Sequence, residues 1–205
     1  MQAARGTPLT GDGTPAGEEA GGRPRGARPH WGLRLLLLGV ATLALALDQA
    51  TKTLAVARLT GEPDVGLVGT WFTLHLVRNP GAAFSTGTQF TVLLSCIALG
   101  AILVVLWLGR RVGSRGWAVA LGLLLGGVAG NFTDRLLRDP GPFRGHVVDF
   151  LRLPNWPIFN IADICINLAA GMIIVQAFRG IRLDGTRESA DAGAEADTGS
   201  PGGSP

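Results

Sequence analysis

FNIADICINLAAGMIIVQAF, residues 159–178, is an apolar run of membrane length that opens with two polar side chains, Asn160 and Asp163. A carboxylate at the edge of hydrocarbon costs several kcal/mol unless a partner holds it or a reaction uses it. The same N-x-x-D spacing recurs in GNFTDR, where Asn131 and Asp134 close another apolar run. Two such elements in two membrane-length segments point to a polar site built within a bundle of spans.

Four runs have the length and the lack of charge that a span needs: residues 31–57, 89–109, 116–137 and 158–178. At 1.5 Å per residue, 21 helical residues cover about 31 Å, one hydrocarbon core. The fold expected is an all-α integral membrane protein of four transmembrane helices, with residues 31–180 as the membrane domain. The flanks, 1–30 and 181–205, are rich in Gly, Pro, Ala and charged residues and read as disordered tails. A cleaved signal peptide is the alternative for the first run. Against it, the run continues into Asp48, Gln49 and Lys52 with no clear small-residue cleavage site.

Arginine fixes the expected orientation. Arg23, Arg25, Arg28 and Arg34 flank the first run, Arg110, Arg111 and Arg115 the second loop, and Arg179, Arg182 and Arg187 the fourth run. Short basic flanks stay in the cytoplasm, so both termini are placed inside. Arg138, Arg144 and Arg152 lie on the outer side and read as site or headgroup residues. The net charge of +3 and pI of 9.6 suit an anionic inner leaflet and give no reason to invoke nucleic acid. Cys96 and Cys165 form no C-x-x-C pair and read as buried apolar fillers, not a disulfide, zinc or redox site.

On this topology Asp48, Asp134, Asp149 and Asp163 reach one depth near the outer interface, although they come from distant parts of the chain. Charges inside membranes face bundle interiors or wet cavities and mark function. Within each N-x-x-D element the i, i+3 spacing puts Asn and Asp on one helical face, and Arg135 is placed to hold a carboxylate ionised. Asn131, Asp134, Arg135, Asp48, Gln49 and Lys52 read as structural, site-supporting groups. Asp149, in VVDFL with no adjacent base, and Asp163, with only Asn160 nearby, read as chemistry. Two carboxylates in one desolvated site share a proton, the ionised one activating water while the protonated one polarises a carbonyl. H-E-x-x-H and G-x-S-x-G motifs are absent, and a metal site built from His146, Asp149 and another Asp is a thin alternative. A proton-coupled transporter is the rival from another class, but its polar residues belong near the midplane.

Between the first two runs, TWFTLHLVRNPGAAFS alternates Phe72, Leu74 and Leu76 with Thr73, His75 and Val77, a half-buried strand pattern. Arg78-Asn79-Pro80-Gly81 reads as the turn that ends it. A small extracytoplasmic β-sheet on the outer surface is expected, shaped to cradle an extended peptide or a lipid headgroup.

DQATK (48–52), VRNPGAAFS (77–85), GNFTDR (130–135), VVDF (147–150) and FNIAD (159–163) together resemble the motif set of the lipoprotein signal peptidase (signal peptidase II) family, in its order and on its four spans. The resemblance covers residues 31–180; the Pro-rich stretch LLRDPGPFRG departs from it. It implies an aspartic endopeptidase of the bacterial cytoplasmic membrane, acting as a monomer near the outer face. The implied substrates are prolipoproteins cut just before a diacylglyceryl-modified cysteine, with membrane phospholipid as the surroundings and no cofactor or metal. By the same resemblance Asp149 and Asp163 are the dyad. Asn131, Asp134, Arg135 and Asn160 support it, and Asp48, Lys52, Asn79 and Gly81 occupy further motif positions.

Overall fold

The computed structural model describes residues 31–81 and 88–187. The expected tails at 1–30 and 188–205, and residues 82–85 of VRNPGAAFS, lie outside the described residues. The elements run α1 (Trp31–Leu59), β1 (Val65–Val68), β2 (Phe72–Asn79), α2 (Thr88–Gly109), α3 (Arg115–Leu137), β3 (Val147–Arg152) and α4 (Ile161–Phe178). All four helices are long and apolar enough to cross a membrane, and the bounds of α1 to α3 follow their apolar runs closely.

Helix α3 is the hub of the bundle, because small residues let its neighbours approach its backbone. A β-carbon on Gly126 would come within 2.6 Å of the Ala41 carbonyl oxygen on α1, and one on Gly127 within 2.6 Å of the Ala162 carbonyl oxygen on α4. Leu37 and Ala41 of α1, Val105 of α2 and Ala118, Leu121 and Leu125 of α3 form one buried cluster. Other leucines on the helices point outward, among them Leu43, Leu103 and Leu168, where lipid rather than water suits them. Cys165 is buried, whereas Cys96, expected as a core filler, faces outward from α2.

Contacts at the two bundle ends show the helices alternating in direction. At one end Arg34 donates to the Arg110 carbonyl (2.7 Å) and Trp117 Nε1 donates to the Ile181 carbonyl (2.8 Å). That brings together the start of α1, the end of α2, the start of α3 and the chain after α4. Composition groups residues 181–187 with the polar tail, but they fold back. Ile181 bridges to Arg187, and Leu183 accepts a hydrogen bond from Gly113 N (2.9 Å) and packs on the buried cluster. The boundary expected after residue 180 is therefore too early.

At the opposite end sits a three-stranded antiparallel sheet of order β1-β2-β3. Phe72, Leu74 and Leu76 pack toward Ala55 and Leu59 of α1 and toward Val148, Phe150 and Leu151 of β3, as the alternation predicts, but Thr73 of the opposite face is buried as well. The strand does not end at Arg78: Arg78 and Asn79 pair with Val148 and Val147, and only Pro80, which has no N–H to offer the ladder, stops it. Helix α4 likewise starts later than the apolar run. Phe159 is tied to Leu151 by reciprocal backbone hydrogen bonds of 3.0 and 2.8 Å, so it belongs with the strand and not with the helix.

Candidate active site

The site is built where the sheet meets the helix ends. Lys52, on α1, lies fully buried with its Nζ 2.8 Å from Asp48 Oδ2 and 2.9 Å from Asp134 Oδ2. One turn of helix separates Asp48 from Lys52, so α1 supplies an ion pair by itself, and α3 adds the second carboxylate. The remaining oxygens are also satisfied. Asp48 Oδ1 accepts from Ala162 N (2.9 Å), capping the start of α4, Asp134 Oδ1 accepts from Arg138 Nε (2.6 Å), and Asp134 Oδ2 takes a further bond from Val148 N (3.1 Å) on β3. Gln49 donates to Asp48 (3.1 Å) and to the Gly130 carbonyl (3.0 Å). Gly130 permits this fit, since a β-carbon there would lie 2.5 Å from Asp48 Oδ2.

From Lys52 the hydrogen bonds lead to the two candidate catalytic carboxylates. Lys52 Nζ donates to Asn131 Oδ1 (2.9 Å), and Asn160 Nδ2 donates to the same oxygen (3.1 Å). With its oxygen so occupied, Asn131 must turn its amide nitrogen to Asp163 Oδ1, which accepts at 2.9 Å. Asn160 Nδ2 also donates to Asp149 Oδ1 at 2.6 Å. Asn79, at the end of β2, donates to Asp149 Oδ2 (2.8 Å) while its Oδ1 accepts from Gly81 N (2.8 Å). Gly81 has a φ of 110°, in the region glycine favours, and a β-carbon there would come within 2.8 Å of Leu94. One asparagine on a helix, one just before a helix and one on a strand thus aim both carboxylates.

The i, i+3 spacing of Asn160 and Asp163 has a different cause from the one expected. Asn160 precedes α4 and is its N-cap. Its Oδ1 accepts from Asp163 N (3.0 Å), and Asp163 Oδ2 accepts from Asn160 N (3.1 Å). This is a capping box, and it locks Asp163 by the same bonds that start the helix. Asn131 and Asp134 do lie within α3.

Arginine roles also differ. Arg138, not Arg135, pairs directly with Asp134, Nε to Oδ1 at 2.6 Å; the i, i+4 spacing carried that signal. Arg135 lies close enough to feel the charges of Asp149, Asp134 and Asp163, and its Nη1 is buried without a hydrogen-bond partner. Arg152 joins an exposed cluster, 2.6 Å from Asp64 Oδ2 and 3.0 Å from Thr73 Oγ1. The hydrogen bond with His75 and the charge of Arg152 hold Asp64 below the usual carboxylate range. Arg144 is exposed. Sequence reading missed Thr91 and Ser95. Thr91 donates to the Pro80 carbonyl (2.7 Å) and Ser95 to the Phe143 carbonyl (2.8 Å), anchoring the chain after Asn79 and the Pro-rich loop to α2.

Asp149 is only 3% exposed. Burial pushes its carboxyl up to about 6, the Asn79 hydrogen bond opposes that rise, and the nearby charge of Asp163 adds to it. Asp163 is half-buried and lines a groove of about 300 Å³ with Trp156, Phe159, Ile164, Asn167 and Leu168. One carboxylate is closed off and its partner opens toward an apolar groove. Among the described residues no group of three His, Cys, Asp or Glu side chains is placed to hold a metal ion, so the His146 alternative finds no third ligand.

A family model described as signal peptidase (SPase) II matches residues 40–179. A lipoprotein signal peptidase of Mycobacterium avium is 48% identical over 80% of this chain and 91% of its own. One from Streptomyces griseus is 46% identical over 74% of this chain and 78% of its own. A solved bacterial membrane enzyme, 24% identical, shares the fold with a TM-score of 0.63 over 73% of this chain and 94% of its own.

Lys52 is the test of how the network holds. Removing one member of a buried ion cluster strands the others and costs about 3–5 kcal/mol. Lys52→Met is expected to lower membrane yield and melting temperature sharply. Adding Asp48→Asn to Lys52→Met is expected to restore part of the loss, because it removes one stranded charge. A Lys52→Met protein that melts like the unaltered chain contradicts the assignment.

Proposed function

Since the chain belongs to the signal peptidase II family, we propose that Asp149 and Asp163 are the dyad with which it cleaves prolipoproteins. The protein is a multi-pass membrane peptidase that removes signal peptides from prolipoproteins. One observation carries the dyad: the charge count of the buried network. Lys52, Arg138 and Arg135 face Asp48, Asp134, Asp149 and Asp163. Three cations against four carboxylates leave one uncompensated negative charge in a poorly solvated site, and one proton removes it. Asp149, buried and pushed up to about 6, is the carboxyl that holds it.

The roles follow from exposure. Asp163, open to the groove, takes a proton from water as the water oxygen attacks the scissile carbonyl carbon. Asp149 gives its proton to the carbonyl oxygen, so the tetrahedral intermediate forms as a neutral diol. On collapse the carbon–nitrogen bond breaks, Asp163 passes its proton to the leaving amine, and Asp149 recovers one from the diol. Asn131 and Asn160 keep both carboxylates aimed through the cycle. Every group named comes from one chain, so a monomer suffices.

The sheet end faces outward and the arginine-rich end lies in the cytoplasm, with both termini inside. A diacylglyceryl group on the substrate cysteine sits in the outer leaflet beside the spans. Each buried methylene contributes about 0.8 kcal/mol to membrane retention, so the anchor presents the scissile bond at the depth of the dyad. Residues from 31 to the end of the hairpin at 187 form the working unit.

Asp149→Asn and Asp163→Asn are each expected to abolish cleavage of a diacylated prolipoprotein by purified, folded protein. Full activity in either variant removes that residue from the dyad. The pH profile tests the proton. The raised folded value means that Asp149 keeps its proton until pH rises through about 6, so kcat/KM falls with an alkaline limb at that pH. Asn79 donates to the ionised form. Asn79→Ala is therefore expected to move the limb to higher pH, whatever it does to the amplitude. A limb that stays in place or moves down contradicts Asp149 as the proton carrier.

A further inference from the structure

We propose that the bundle end opposite the dyad carries a binding site for one anionic phospholipid, between α1 and α2. A groove of about 160 Å³ opens there, lined by Leu37, Leu38, Leu106 and Gly109, with Arg34 and Arg110 at its rim. The two helices touch at the groove's floor, where a β-carbon on Gly109 would stand 3.0 Å from Leu37. Toward the lipid they part, leaving Leu38 and Leu106 half-exposed. An apolar cleft rimmed by two guanidinium groups matches an acyl chain with a phosphate above it.

Depth and charge both agree with that occupant. Trp31 is 68% and Trp107 51% exposed at the same end, and Arg111 stacks over the Trp107 ring at 4.5 Å. Exposed tryptophans mark the headgroup level of a bilayer, so Arg34 and Arg110 sit where phosphates sit. Arg34 spends one Nη2 bond on the Arg110 carbonyl, at 2.7 Å. That bond fixes the guanidinium at the rim and leaves its other donors for an anion. Among the described residues this end holds Arg34, Arg110, Arg111, Arg115, Arg179, Arg182 and Arg187. The acidic residue there is Asp184, whose Oδ1 accepts from Thr186 Oγ1 and N at 2.7 and 3.0 Å. Basic pockets between spans on the cytoplasmic side are a recurrent way to hold anionic headgroups.

The site rests on the proposed orientation for its place in the inner leaflet, but not for its chemistry. The lipid pins the ends of α1 and α2 together, and α1 carries Asp48 and Lys52 at its far half.

Native mass spectrometry of the full chain released from detergent, with phosphatidylglycerol and phosphatidylcholine of the same acyl chains, reads the site without reference to orientation. One phosphatidylglycerol is expected to be retained in preference by about tenfold or more, since each Arg near the surface contributes on the order of 1 kcal/mol. Arg34→Gln with Arg110→Gln is expected to abolish the preference while prolipoprotein cleavage in detergent is retained. Arg115→Gln with Arg182→Gln, which removes the same charge outside the groove, is expected to leave it. Equal retention of the two lipids overturns the proposal, as does equal loss in both double variants. Displacement by soluble glycerol phosphate also overturns it, showing an anion site without a lipid. Cysteine-accessibility mapping of the bundle ends tests the orientation separately.

Discussion

The buried ammonium of Lys52 holds this protein's polar end together. It is 2.8 Å from Asp48, 2.9 Å from Asp134 and 2.9 Å from Asn131, so it ties α1 to α3 by charge where the contact nearer the other end is apolar packing. Asp48 and Asp134 then reach out in turn, one to the start of α4 at Ala162 N, the other to β3 at Val148 N. Four elements converge on one cation. Ionised groups out of water are costly, several kcal/mol each, and persist only when each is paired and hydrogen-bonded. Here that condition also sets the geometry of the neighbouring carboxylates.

The asparagines carry that geometry outward. An amide has one accepting and one donating end, so fixing the first aims the second. Lys52 and Asn160 fill the oxygen of Asn131, which leaves its nitrogen to Asp163, while Asn160 itself serves Asp149. Asn79 approaches Asp149 from the sheet side, held by the turn at Gly81. Membrane helices supply rigid positions for Asn131 and Asp163, and strands supply Asn79 and Asp149. The sheet is therefore part of the site and not only a cover for it.

Much of this was legible in the sequence because bilayers impose simple rules. Apolar length gave helix bounds close to those of α1 to α3, and alternation over residues 72–77 gave the strand and its buried face. Spacing was less informative where two structures share it. An N-x-x-D pair is one helical face inside a helix and a capping box at its start, and only the backbone pairing of Phe159 with Leu151 shows that Asn160 lies at the start. Arg135 and Arg138 are likewise separable only by direction: i, i+4 puts Arg138 over Asp134, and Arg135 lies buried among the charges of Asp149, Asp134 and Asp163. Composition failed at residues 181–187, where a polar stretch folds because Leu183 and the Gly113 backbone hold it.

The central claim is that the dyad holds one proton and that Asp149 carries it. Infrared difference spectroscopy of the protein near pH 5, where ordinary carboxylates with values near 4 are largely ionised, reads that proton as a carbonyl stretch of a protonated carboxyl. The account predicts a band that disappears in Asp149→Asn, survives in Asp163→Asn and titrates away as pH rises through about 6. A band that vanishes with Asp163 and survives without Asp149 would contradict it.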